Sequence, residues 1–406
     1  MHLLTIAANL LGQQQRRAMA RARWAGKVVT EGVKDTMHAF RHAGEGVRDT
    51  SVNAAKAVFR RVRRPVRTVS RRKSQLEQQW AFNRTEWDIE SEIETMVARD
   101  RLIVAGPWMS EVGFETLYWV PFLHWVKTAF RLPPDRIVAV SRGGVGSWYQ
   151  GVAGRYVEMW DEIDPAEFAR RNAERGVTKQ YEMSALDRDL LDRVAKRIGT
   201  NDFDVLHPGL MYRLFTLYWS GQRAMGFLDA HLRFARVEAP VVIDPALLPR
   251  EYIAVKFYAA RSLPDTPAIR ATLRQMVAGL SEQLPVVMLD TGLVLEDDHG
   301  DYTFDTAGRV ISAKPWMTPQ TNLGVQTQIV AGAKAFVGTC GSIAWLAPRL
   351  GVDTSALYVD PKWLHAHLAV AMRAYHKLDA GRFAAADLRA FERLGALTAG
   401  RVDATP

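Results

Sequence analysis

The sequence predicts an α/β protein of two parallel sheets, each wound with crossover helices and facing the other across a cleft, preceded by a basic amphipathic helical arm. Three observations predict it. From about residue 100, short β-branched runs alternate with helical stretches, the pattern of parallel strands joined by crossover helices. The alternation stops at a proline-rich stretch, 240–250, and then starts again. The charge is also divided: residues 1–80 hold 17 Lys and Arg against 5 Asp and Glu, a net +12, whereas the other 326 residues sum to −3. The formal +9 of this 406-residue chain is therefore a property of its arm, and the predicted divisions are 1–95, 96–245, 246–375 and a helical tail, 376–406. A 48% hydrophobic, 24% charged composition excludes chain-wide disorder and collagen-like repeats.

Within the arm, Glu31-Gly32-Val33-Lys34-Asp35-Thr36 returns as Glu45-Gly46-Val47-Arg48-Asp49-Thr50, an offset of 14 residues, four turns of a helix underwound to 3.5 residues per turn. Val33, Met37, Phe40, Val47, Ala54, Val58 and Val62 then share one stripe. Gly26, Gly32, Gly44 and Gly46 each cost roughly 1 kcal/mol in a helix, so the stripe needs a partner surface. Eight of the fourteen residues 60–73 are basic, which predicts attraction to an anionic membrane surface. The repeat resembles the lipid-surface helices of apolipoprotein-like and synuclein-like proteins. Self-association into a homodimer is the alternative use of the arm. Nucleic acid is disfavoured because no aromatics interleave with the arginines as stacking platforms.

In the body, 101–105 reads as a strand, followed by a helix carrying Leu117 to Leu123, and 136–140 as the next strand, ending at Gly143-Gly144-Val145-Gly146. A charged helical stretch covers 165–198, and 204–209 closes a third strand. The second half reads as strand 252–258, helix 266–283, strand 285–290, helix 322–333, strand 335–338, helix 342–350 and strand 354–358. Two Rossmann-like halves of this kind bind ligands at the carboxyl ends of their strands. The single cysteine, Cys340, excludes an intrachain disulfide and fits a reducing compartment. The apolar start lacks a basic region before it, and no run approaches the ~20 apolar residues of a membrane span. The expected location is cytoplasmic, peripheral at the inner face of the membrane.

Residues 335–352 carry the most chemistry. A buried strand runs into Thr339-Cys340-Gly341-Ser342 and then a helix, which either aims backbone N–H groups at an anion or makes a tight turn of no further purpose. From Trp345 to Leu357 the layout resembles the GT-B glycosyltransferases, in particular their heptosyltransferase and fucosyltransferase-like groups, with Asp353 where proline is usual. A second likeness lies in Glu115 to Pro121, which matches the spacing of the heptosyltransferase pattern that places an acidic residue six positions before a proline.

The resemblance implies transfer of a sugar from a nucleotide-sugar donor to a hydroxyl acceptor, a cell-surface glycan or glycolipid, with inversion and with no cofactor or metal required. It implies Glu115 as general base, with Glu111 the competing candidate and a helix-dipole role the alternative. It implies Lys256 and Arg261 on the donor phosphates together with Thr339, Cys340, Gly341 and Ser342. Asn322 and Gln326 open a helix near the nucleotide, or serve as its amide-rich cap. His207 stands at a strand end facing the cleft, as a substrate contact or a structural residue. Gly143 to Gly146 lacks the spacing of a dinucleotide fingerprint and reads as a turn or acceptor loop. The acidic stretch Glu296 to Asp301 reads as a solvated loop before a metal site, and Asp290-Thr291-Gly292 has no second copy to make a protease pair. A non-catalytic, membrane-recruited nucleotide-binding or scaffold protein, and a basic-armed nucleic-acid-binding protein, are the alternatives from other classes.

Overall fold

The structure, a computed structural model, describes residues 81–176, 179–293, 300–304, 308–378 and 380–390. The chain divides into two compact units, Met1–Gln79 and Trp80–Pro406, and all described elements belong to the second. The readings of the arm, its repeat and its basic block lie outside the described residues, as does most of the acidic loop from Glu296.

Helix α1 occupies residues 81–98. Its Ile89, Ile93 and Met96 fall on one stripe and are buried in the main core. The body therefore begins near residue 80, and the predicted boundary at 95 is corrected. The first sheet has the order β3-β2-β1-β4 with every pairing parallel. β1 (Leu102–Ala105) and β2 (Ile137–Ser141) are its central, apolar strands. Between them lies α2, built of Val112–Phe114, a π-helical turn Glu115–Trp119, and Val120–Ala129. β3 (Arg155–Glu158) escapes the sequence because an edge strand need bury only one face, and Arg155-Tyr156-Val157-Glu158 carries little apolar signal.

The single helical stretch expected at 165–198 is two helices, α3 (Pro165–Arg175) and α4 (Ala185–Ile198). Gly176, left-handed at φ +67°, stops the first. A capping box between Ser184 and Asp187 starts the second. β4 (Phe203–Leu206), α5 (Pro208–Trp219) and α6 (Met225–His231) complete this half.

The second sheet has the order β10-β9-β8-β5-β6-β7, again all parallel. In chain order it comprises β5 (Ile253–Lys256), α7 (Pro267–Gln283), β6 (Val286–Met288), β7 (Val310–Ser312), α8 (Asn322–Gly332), β8 (Ala335–Thr339) and α9 (Ile343–Leu346). β9 (Thr354–Tyr358), α10 (His365–Leu378) and β10 (Phe383–Asp387) follow. The predicted helical tail, 376–406, is corrected at 383–387, which form a strand, while 391–406 lie outside the described residues. The alanines of this strand favour helix intrinsically, but parallel pairing to β9 makes them a sixth strand. Asp353, which replaces the proline of the resembling pattern, anchors that strand: Arg382 donates to it from its backbone N at 2.8 Å and its Nε at 2.9 Å. These bonds hold the Asp353 carboxyl below its ordinary range.

One apolar core runs through both halves, joining Ile103 and Trp108 to Ala254, Phe336 and Tyr375. The linker is pinned by Gln328 of α8, which accepts from the N–H groups of Val242 (2.6 Å) and Ile243 (2.9 Å) and donates to Ile243 O. Among the described residues, no helix is long and apolar enough to cross a membrane.

Candidate functional site

Loops that leave the carboxyl ends of strands in the two sheets are in contact. Gly113 at the start of α2 sits against Ser342, so close that a Cβ on it would lie 3.0 Å from the Ser342 backbone N. Gly143 accepts a hydrogen bond from Gly324 N at 2.8 Å. Tyr118 Oη and His367 Nδ1 are 2.6 Å apart.

At this edge the π turn of α2 carries Glu115, whose side chain is wholly buried. A π turn displaces the residues of one helical turn and is common at functional positions. Glu115 Oε1 accepts from Ser141 Oγ and from Tyr149 Oη, both at 2.5 Å. Oε2 lies 4.0 Å from the Arg142 guanidinium and has no hydrogen-bond partner among the described residues. Burial pushes the carboxyl up from 4.5 to about 7, against the opposing pull of Arg142, Ser141 and Tyr149. Arg142 is itself buried and donates to Trp108 O (3.2 Å) and Ser110 O (2.7 Å), which fixes the loop after β1. Glu111 is half-buried at the N-cap position of α2, and its carboxylate caps no N–H there.

Gly143 and Gly144 adopt φ of +80° and +78°, and this turns both N–H groups onto the Glu158 carboxylate at 2.9 and 2.7 Å. The glycine loop is therefore a turn whose donors are occupied by a side chain of the next strand. The sequence reading missed Ser141, Arg142, Tyr149 and Glu158. Arg142, a cation directly before a glycine turn at a strand end, was the available signal.

In the second half, Ser342 is held at φ +41° and ψ −119°, a conformation that costs a residue with a Cβ of order 1–3 kcal/mol. The turn expected to cradle an anion is covered: Gly113 packs on Ser342, and the Tyr258 hydroxyl stands 2.5 Å from where a Cβ on Gly341 would be. Thr339 Oγ1 bridges Tyr258, accepting from its N at 2.9 Å and donating to its O at 3.0 Å. Cys340 is buried, which pushes its thiol up to about 12 and keeps it protonated. Lys256 Nζ donates to Leu289 O (3.0 Å) and pairs with Asp301 Oδ1 (3.2 Å). Arg261 is exposed, its guanidinium 5.6 Å from the centre of the exposed Trp363 ring.

Asn322 and Gln326 are buried on α8, where Gln326 Nε2 donates to Asn322 Oδ1 at 3.4 Å and Gln326 Oε1 has no partner among the described residues. Thr321, not Asn322, holds the N-cap position. His207 is engaged within its own half. It caps α5, accepting from Gly209 N at Nδ1 (3.0 Å), and its Nε2 donates to Asp187 Oδ1 (3.1 Å). Although burial works against it, the bonds from His207 and Ser184 hold the Asp187 carboxyl below its ordinary range. His207→Ala is expected to cost about 1 kcal/mol, the ordinary value of an N-cap, read as a lower melting temperature.

The fold and this edge define a two-sheet, parallel α/β protein with a buried acid–arginine centre where the sheets meet. No family model matches the chain, and no curated protein matches it. Among solved structures it is similar to an E. coli ADP-heptose lipopolysaccharide heptosyltransferase II, at 13% identity and a TM-score of 0.36, covering 64% of this chain and 86% of that one. It is also similar to a family 9 glycosyl transferase from Veillonella parvula (12%, 0.38, covering 74% and 89%) and to an E. coli heptosyltransferase with ADP (11%, 0.37, covering 72% and 98%).

Proposed function

We propose that the protein is a GT-B glycosyltransferase that moves a sugar from a nucleotide-sugar to a hydroxyl of a glycan or glycolipid, with inversion and with Glu115 as general base. The observation that carries this reading is the Glu115 carboxyl, buried where the two sheets meet and raised to about 7. A base for a sugar hydroxyl works best with a pKa near the operating pH, and burial supplies that shift here. Oε2, the oxygen without a hydrogen-bond partner among the described residues, is the atom for the acceptor proton. The carboxyl is wholly buried and the loops of Gly113 and Ser342 are in contact, so substrates are proposed to enter as these loops part, a gating step of a common kind. Exposed Arg261, and Lys256 once released from Asp301, then supply cations for the departing diphosphate.

The test is release of free nucleoside diphosphate from a nucleotide-sugar in the presence of a hydroxyl acceptor. A second reading, a nucleotide-binding or scaffold protein without transfer, is favoured by the internal bonds of Thr339 and Lys256. That reading predicts binding without release. The arm, residues 1–80, is proposed to hold the enzyme at the inner membrane face through its net +12. Flotation with anionic vesicles is expected for the full chain and to be lost on deleting the arm or on using neutral lipid.

A further inference from the structure

Three side chains that sugar transfer does not use converge between α1 and α6. Glu86 and Glu90 stand one turn apart on α1 and so present their carboxylates on one face. His231, the last residue of α6, is 3% exposed and boxed by the rings of Trp125 and Phe227, with centroids 4.8 and 4.6 Å away. Its Nδ1 lies 2.8 Å from Phe227 O. Its Nε2 lies 3.1 Å from Glu90 Oε1 and 3.8 Å from Glu86 Oε1. The Phe227 carbonyl is an acceptor only, so Nδ1 is the nitrogen that carries an N–H toward it. With Nδ1 turned to that carbonyl, the buried Nε2 faces two carboxylate oxygens, one nitrogen and two oxygens converging as the donor atoms of a cation site do.

The outer partners are those of metal ligands, which are themselves oriented by further hydrogen bonds. The Phe227 carbonyl fixes the tautomer and the ring. Arg223 donates to the other oxygen of Glu86, Oε2, from Nε at 3.3 Å and Nη2 at 3.0 Å, leaving Oε1 turned to His231. Arg223 is in turn held by Asn83 Oδ1 at 2.5 Å. A tetrahedral ion bound at ~2.0–2.1 Å sets its ligand atoms ~3.3 Å apart. The ligand atoms of this cluster all lie within 4.8 Å of one another, and the two His–Glu separations bracket the tetrahedral value.

We infer that Glu86, Glu90 and His231 form a site for a divalent transition-metal ion of the zinc class, with water in the fourth position. One imidazole and two carboxylates suit zinc, manganese or iron(II), and the ion clamps α1 onto α6. The inference does not depend on the sugar-transfer reading.

The test is calorimetric titration of the chelator-stripped full chain with zinc chloride alone, with melting temperature recorded before and after. The wild type is expected to take up one zinc per chain and to melt higher, reversibly on adding EDTA. Glu90→Gln, at the more exposed ligand, is expected to fold and to bind at least about tenfold more weakly. His231→Gln is expected to lose the uptake as well. Absence of stoichiometric uptake by the wild type leaves a protonated His231 as the charge between the carboxylates and overturns the inference. Equal affinity in Glu90→Gln places the zinc elsewhere and overturns it too.

Discussion

Replacing Glu115 by glutamine is expected to lower sugar transfer by about 10²–10⁴-fold, the usual worth of a general base, while donor affinity persists. Glutamine keeps an oxygen for the Ser141 and Tyr149 hydroxyls but cannot take a proton at neutral pH. In the wild type the rate is expected to rise with pH through about 7 as the carboxyl ionises. The same shift has a stability consequence of definite sign. The folded carboxyl titrates near 7 and the unfolded one near 4.5, so the folded state holds its proton more tightly. Stability is fully retained below about 4.5 and falls as pH rises to about 7, by an amount on the order of 3 kcal/mol. Glutamine carries no such penalty. Its melting temperature relative to wild type is therefore expected to climb between pH 5 and pH 8. Unchanged turnover in the variant would remove Glu115 from the chemistry.

The largest loss of stability is expected from Arg349→Ala, at about 3 kcal/mol or more. Arg349 is 1% exposed, and burial lowers it to about 10, yet no carboxylate pairs with it among the described residues. Its guanidinium instead donates to Ala235 O at 3.0 Å and to Thr116 O at 2.8 Å, two carbonyls of the first half. The π turn explains why Thr116 O is available. Val120 N bonds to Glu115 O, and the next donor in that pattern would be Pro121, which has no N–H. Truncating Arg349 leaves both carbonyls unpaired, at about 1–3 kcal/mol each, beside a cavity. Lysine is not expected to rescue it, because an ammonium does not reproduce the fork that reaches two carbonyls. Chemical denaturation at neutral pH reads the effect, and a midpoint equal to wild type would refute this account of how the halves are fastened.

The central strands were legible because Leu102–Ala105, Ile137–Ser141 and Ala335–Thr339 are nearly continuous apolar runs, and no other local structure uses such runs so briefly. The edge strands β3, β7 and β10 were not, since their pairing comes from a neighbour far along the chain and not from their own composition. Glu115 was legible through its six-residue spacing to Pro121, and the structure gives that spacing a physical meaning in the π turn and the Arg349 bond. The surroundings that shift Glu115, namely Ser141, Arg142 and Tyr149, come from another strand and its loop, and a local pattern does not contain them. Lys256, Thr339 and His207 were singled out by residue type and by their place at strand ends. What the sequence could not display is that Asp301, Tyr258 and Gly209 already engage them.

The claim that this edge is a donor site is tested most directly by the melting temperature of the full chain against a panel of nucleotide-sugars. A ligand that binds only the folded state stabilises it by about 2.7 kcal/mol at one hundred times its dissociation constant. The account predicts a saturable rise for at least one nucleotide-sugar, retained in Glu115→Gln and reduced in Arg261→Ala. A flat response across the panel would contradict it.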